Sequence, residues 1–193
     1  DDVLPFFKKI ENYQGEITEL RSSKGPLKIS EVVDRNPIYD GLFKGAGEIG
    51  IPVNKDYNGD EQEGISYTQT TIFKGERMSA EVAYLKPIRS RKNLKIITNS
   101  LVTKLLFDGK TCVGVKVKNK NKIQDYFSQN EVILCGGAIN SPQVLELSGI
   151  GNRSILEEKG ISLVHELKGV GENLRDHLGP RLVYNITKRG ISY

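Results

Sequence analysis

Tryptophan is absent from the chain, methionine occurs once and cysteine twice. Two thiols cannot frame a disulfide scaffold. Cys112 and Cys135 lie in separate apolar stretches, without the spacing of a metal pair or a redox motif. Reduced thiols buried in strands are the expectation, which fits a cytoplasmic setting. Membrane association of a longer parent protein stays open. Only seven of the 193 residues are proline, so no proline-rich linker divides the sequence. No apolar run approaches the roughly 20 residues that cross a bilayer as a helix. One-sided charge is missing too: 28 basic against 24 acidic residues leave +4. The local lysine runs, Lys118 to Lys122 and Arg89 to Lys92, lack interleaved aromatics. They read as solvated loops, and no nucleic-acid partner is expected.

What is present is a turn-rich globular composition. Apolar residues make up 37%, charged residues 27%, and glycine occurs 20 times, which suits a soluble α/β or α+β chain. Val3, Phe6, Phe7 and Ile10 recur at helical spacing, so an amphipathic helix is expected almost from residue 1. That abrupt start suggests a fragment. GPLKIS (25–30) alternates like a strand. Asn36-Pro37 reads as N-cap and first helical residue, with Ile38, Leu42, Ala46 and Ile49 on the apolar face. A polar loop over 56–64 leads to one strand over 65–73, then a short helix over 79–87 stopped by Pro87. After Pro87 the texture changes, and LKIIT, VTKLLF, CVGVKVK and EVILC read as closely spaced strands. SILEEKG is a short helix with Ser154 and Glu157 at capping-box spacing. LVHEL and RLVYNIT read as further strands.

Several motifs are misleading. GAGEIG (45–50) fits the G-x-G-x-x-G dinucleotide pattern, yet a helix precedes it where a strand should, and Pro52 closes it. It reads as a closely packed helix end. Asp56-x-Asn58-x-Asp60 opens like a calcium loop, but Glu61 and Tyr67 occupy the positions of the required Gly and Glu, leaving a solvated turn. His165 and His177 have no ligand-spaced partners, so no metal is expected. Ser148 sits at a helix end and not on a nucleophile elbow.

The most informative stretch is CGGAINSPQVLELSGIG (135–151). A buried strand, Val132 to Cys135, passes through Gly136, Gly137 and Ala138 to a helix expected to begin near Pro142. Val144, Leu145 and Leu147 form its apolar face, and Gly149 or Gly151 ends it in the left-handed region. So bare a crossing either packs strand tightly against helix or lets a ligand lie against backbone amides.

GAINSPQVLELSGIG closely resembles the second signature of the glucose–methanol–choline (GMC) family of FAD-dependent alcohol oxidoreductases. PFFKKIEN, GPLKIS, DYNGDEQEGISYTQTTIFKGERMSAEVAYLKP, RKNLKIITNSLVTKLLFDG and GVGENLRDHL resemble further family blocks in the right order. Choline dehydrogenase-like members are the most similar, and the resemblance covers almost the whole chain. It implies a mixed α/β (α+β) fold: part of an antiparallel-sheet substrate domain over 1–84, then part of a Rossmann-like FAD-binding domain over 85–193.

The resemblance also implies site residues. The backbone at Val102 would meet the adenine edge of FAD, and Cys135, Gly136, Gly137 and Ala138 would lie beside the cofactor. GENLRDH (171–177) resembles a loop that helps close the FAD domain, with Asn173 and Asp176 capping turns. The family's base is a histidine near its C-terminus, so His177 is not that base and no catalytic residue is assigned. The implied reaction oxidises a primary alcohol, its carbon giving hydride to the flavin after a base takes the hydroxyl proton. The family's pyrophosphate-binding βαβ unit is not in this sequence, so the rest of its own chain is needed to complete the site. The alternative is a non-enzymatic structural or interaction module that kept the fold and lost the flavin.

Overall fold

The computed structural model describes residues 2–33 and 35–185. They form a mixed α/β chain with small sheets, grouped into two compact units, one built mainly from residues up to Lys95 and one from Ile96–Leu182.

In the first unit, α1 (Leu4–Ile10) starts on Pro5, whose fixed φ suits a first turn. The helix is present as expected, but Phe6 and Phe7 stay 68% and 62% exposed. Strand β1 (Glu11–Tyr13) lies parallel to β2 (Leu27–Glu31). Helix α2 (Ile38–Glu48) is entered as expected: the Asn36 side-chain oxygen accepts from the Ile38 N–H at 3.0 Å. The GAGEIG glycines are not closely packed, since a Cβ at Gly45, Gly47 or Gly50 would meet nothing within 4 Å.

The strand expected over 65–73 is broken. β3 (Gln69–Thr70) pairs antiparallel with β2, whereas β4 (Ile72–Phe73) folds back on β5 (Glu76–Arg77). Lys74 and Gly75 both have positive φ, the two-residue turn that matches strand twist, and that turn diverts the second half. Pro87 does not stop the following helix. A π turn over Glu81–Leu85 passes into a 3-10 turn over Lys86–Ile88. Widening the ladder accommodates a ring that has no N–H to offer.

The second unit is built on an antiparallel sheet, β6 (Leu101–Asp108), β7 (Thr111–Asn119) and β8 (Lys122–Phe127). The first two strands match expectation. Sequence reading missed β8, because KIQDYF is mostly exposed and has weak alternation. LKIIT and EVILC form no strands among the described residues, and Ile96, Ile97 and Ile133 are exposed. An apolar extended run registers as a strand only when a neighbouring strand completes its ladder.

Helix α3 (Gly137–Leu147) packs on β6, and Leu105, Val117 and Val144 are buried. It begins five residues before Pro142, which therefore lies inside the helix and leaves the Ala138 carbonyl without its i+4 donor. β9 (Ile150–Gly151) precedes α4 (Arg153–Glu158) and pairs in parallel with β10 (His165–Glu166), the short remnant of the expected LVHEL strand. The cap of α4 is Asn152, not Ser154: its side chain accepts from the Ser154 N–H at 3.1 Å. Residues 181–185 of RLVYNIT form no strand, and 186–187 lie outside the described residues.

Candidate functional site

The bend at 135–138 is open. Cys135, Gly136, Gly137 and Ala138 are all exposed, so the expectation of a buried strand with a buried Cys135 thiol is corrected. Gly137 has φ +80, a conformation costly for any residue with a Cβ. A Cβ built there would meet nothing within 4 Å, whereas one at Gly136 would stand 3.1 Å from the Ser141 nitrogen. Gly136 thus admits the tight turn, and Gly137 presents bare backbone. A cavity of about 500 Å³ begins at Ala138 and Ile139 and runs to Gly171 and Leu174. An open glycine shelf beside a cavity suits a flat, phosphate-bearing ligand that approaches main-chain atoms.

The far end of α3 is closed by a residue whose role the sequence did not disclose. Ser148 is 1% exposed, accepts from the Leu105 N–H at 2.8 Å and donates to the Val144 carbonyl. It satisfies an amide of β6 and ties the sheet to the helix. Gly149 follows with φ +87, as expected for a helix end, and a Cβ there would fall 2.3 Å from the Ser162 carbonyl oxygen. Val102 lies in β6 opposite Val117, just before a bulge. GENLRDH is a loop, in which Asn173 has φ +57 and the Asp176 carboxylate accepts from the His177 N–H at 2.8 Å.

The first unit holds a polar centre that sequence reading took for a solvated turn. Arg21 is 2% exposed, with its guanidinium 3.0 Å from carboxylate oxygens of both Glu11 and Asp56. It also donates to Gln69 at 3.1 Å and lies 3.7 Å over the Tyr13 ring. Two carboxylates around one buried cation need good hydrogen bonding, yet Arg21 Nε and Asp56 Oδ2 have no partner among the described residues. Burial first, and the Asp56 charge second, raise the Tyr13 phenol above its usual range. Tyr13 and Asp56 also line a cavity of about 640 Å³ with Glu31, Arg35, Phe43 and Tyr67. A polar residue within a turn motif could have suggested this role for Asp56, but Arg21 stands alone in sequence between Leu20 and Ser22.

The sequence model of the GMC oxidoreductase family matches residues 1–179. The chain belongs to that family. It is 42% identical over 175 residues to human choline dehydrogenase, mitochondrial, covering 91% of this chain and 30% of the relative. Identity to the oxygen-dependent choline dehydrogenase of Brucella anthropi is 41% over 177 residues, covering 92% and 32%. Solved structures agree in fold. An FAD-dependent oxidoreductase from Chaetomium thermophilum superposes with a TM-score of 0.84 at 29% identity, covering 90% of this chain and 33% of that one. For the Aspergillus oryzae formate oxidase the TM-score is 0.82 at 27% identity, with 92% and 32% covered. This GMC chain therefore spans about a third of the length of the relatives it matches.

Proposed function

We propose that this GMC chain is part of an FAD-dependent enzyme that oxidises a primary alcohol, choline dehydrogenase-like in substrate. The observation that carries the reading is the open glycine shelf at Cys135–Ala138, in a chain so similar to choline dehydrogenases. The residues present fit the cofactor. Gly137 leaves open space where a Cβ would stand, and Ala138 borders a cavity. In this reading Cys135, Gly136, Gly137 and Ala138 form one wall of the FAD site, and the backbone of Val102 meets the adenine. FAD, when bound, accepts the hydride. This chain's own work is to hold the cofactor edge with main-chain groups.

Residues 1–84 belong to the substrate domain and 85–193 to the FAD domain in this reading. The 640 Å³ cavity beside Tyr13 and Asp56 supports a substrate-side role for the first segment. The apolar stretches LKIIT and EVILC, without ladders among the described residues, support a need for the rest of the protein. No helix of the described residues is long and apolar enough to cross a membrane, and a cytoplasmic location is proposed.

The test is the absorbance spectrum of the full-length gene product. A yellow protein that bleaches when choline is added anaerobically supports the reading, and a colourless full-length protein overturns it. A yellow protein bleached by another primary alcohol but not by choline would keep the enzyme and reject the substrate.

A further inference from the structure

The 640 Å³ cavity of the first unit has an aromatic wall that already carries a cation. Phe43 stacks on Tyr67 with ring centroids 4.8 Å apart, and the Tyr39 ring meets Tyr67 edge-on at 6.0 Å. Tyr39 and Phe43 come from α2 and Tyr67 from the segment before β3, so two elements brace the central ring. The Arg35 guanidinium lies 4.4 Å over the Tyr67 centroid. An aromatic face attracts a cation through its quadrupole, and a planar guanidinium also stacks on it.

Arg35 is held there lightly. Its ion pair with Glu31 spans 3.3 Å between two exposed side chains, and such a pair contributes little. Arg35 itself lines the cavity, so its departure from the ring opens space continuous with that cavity. The lining favours a further positive charge. Glu16, Glu31, Asp40 and Asp56 stand against Arg35 and Lys55, four carboxylates to two cations, or −2 in a chain of net +4. Arg21 and Glu11, both joined to the Asp56 cluster, cancel each other. An anionic ligand would meet repulsion here, whereas a cation gains from both the carboxylates and the ring. The volume is that of a small-molecule site.

We infer that this cavity is an accessory site for a small organic cation of the alkylguanidinium class, which takes the place of Arg35 over Tyr67 among the carboxylates. Arg35 is the resident competitor: its own guanidinium fills the position until a ligand displaces it. The site lies wholly in the first unit and includes no residue of the bend at Cys135–Ala138, so it does not depend on the reaction proposed above.

The experiment is a saturation-transfer NMR titration of the full-length gene product, with methylguanidinium as the probe and N-methylurea as its neutral isostere. The cation is expected to bind and the urea not to. Tyr67→Leu keeps an apolar wall but removes the ring, and is expected to weaken binding about fivefold or more. Arg35→Ala removes both the competitor and a like charge, and is expected to tighten binding severalfold. Equal binding of the urea overturns the inference, as does a Tyr67→Leu variant that binds like wild type or an Arg35→Ala variant that binds no better. Should Tyr67→Leu fail to fold, Arg35→Ala, at an exposed position, decides alone. A colourless full-length protein that still binds methylguanidinium in this pattern keeps the inference and removes the flavin reading. A yellow, choline-bleached protein indifferent to methylguanidinium does the reverse.

Discussion

The Arg21 cluster and the bend at Cys135–Ala138 are opposites. One gathers charged side chains around a buried guanidinium; the other strips side chains away and stays open. In the cluster, strong chemistry is consumed in holding the fold: the guanidinium meets Glu11, Asp56, Gln69 and the Tyr13 ring. At the bend, weak chemistry leaves main-chain groups accessible. The lesson is that residues with reactive side chains are not thereby the functional ones, and a stretch almost without side chains can be the surface built for a ligand.

The contrast can be broken by substitution. The largest effect is expected from Arg21→Ala, which leaves two part-buried carboxylates without their cation. A loss of about 3–5 kcal/mol is expected in chemical denaturation, against much less for Arg21→Lys, which keeps the charge. Next is Gly149→Ala, where a Cβ would stand 2.3 Å from a carbonyl oxygen at a positive φ. A loss of about 3 kcal/mol is expected there. Ser148→Ala leaves the Leu105 amide unpaired and should cost about 1–3 kcal/mol by the same measurement.

The sharpest comparison comes from a small stability effect. Gly137→Ala meets no atom within 4 Å, so only its φ opposes the new Cβ, at about 1 kcal/mol. Flavin affinity should fall by roughly tenfold or more, because the added carbon occupies the shelf. A variant that loses stability but retains its flavin would remove the bend from the cofactor site. Smallest is Tyr13→Phe, read at alkaline pH. A phenol raised in the folded state contributes stability that is fully present below the unfolded value near 10 and is lost as pH rises through the higher folded value. Wild type should therefore lose stability above about pH 10, and the phenylalanine variant should show a flatter alkaline limb.

Legibility followed locality. The opening helix, the Asn36 entry to α2, the β6 and β7 strands and a glycine stop at Gly149 or Gly151 were readable, since capping, alternation and left-handed glycines are local signals, and the structure decides for Gly149. EVILC was readable as apolar and extended but not as unpaired, because pairing belongs to residues far away in sequence. Pro142 misled for a related reason. Proline favours a first turn, but exposed carbonyls let the helix start five residues earlier and tolerate the missing bond. Ser154 was readable as a cap, but Asn152, two residues earlier, takes that place and accepts from the Ser154 N–H.

Composition and order of motifs, by themselves, determined that this chain is a mixed α/β member of the GMC family with a side-chain-poor crossing after EVILC. Those properties are written in consecutive residues and survive any arrangement of the rest. Only the tertiary structure decided that Arg21 joins Glu11, Asp56 and Gln69, and that Ser148 completes β6. The reason is distance along the chain: burial and register bring together residues tens of positions apart, and no local pattern carries that information.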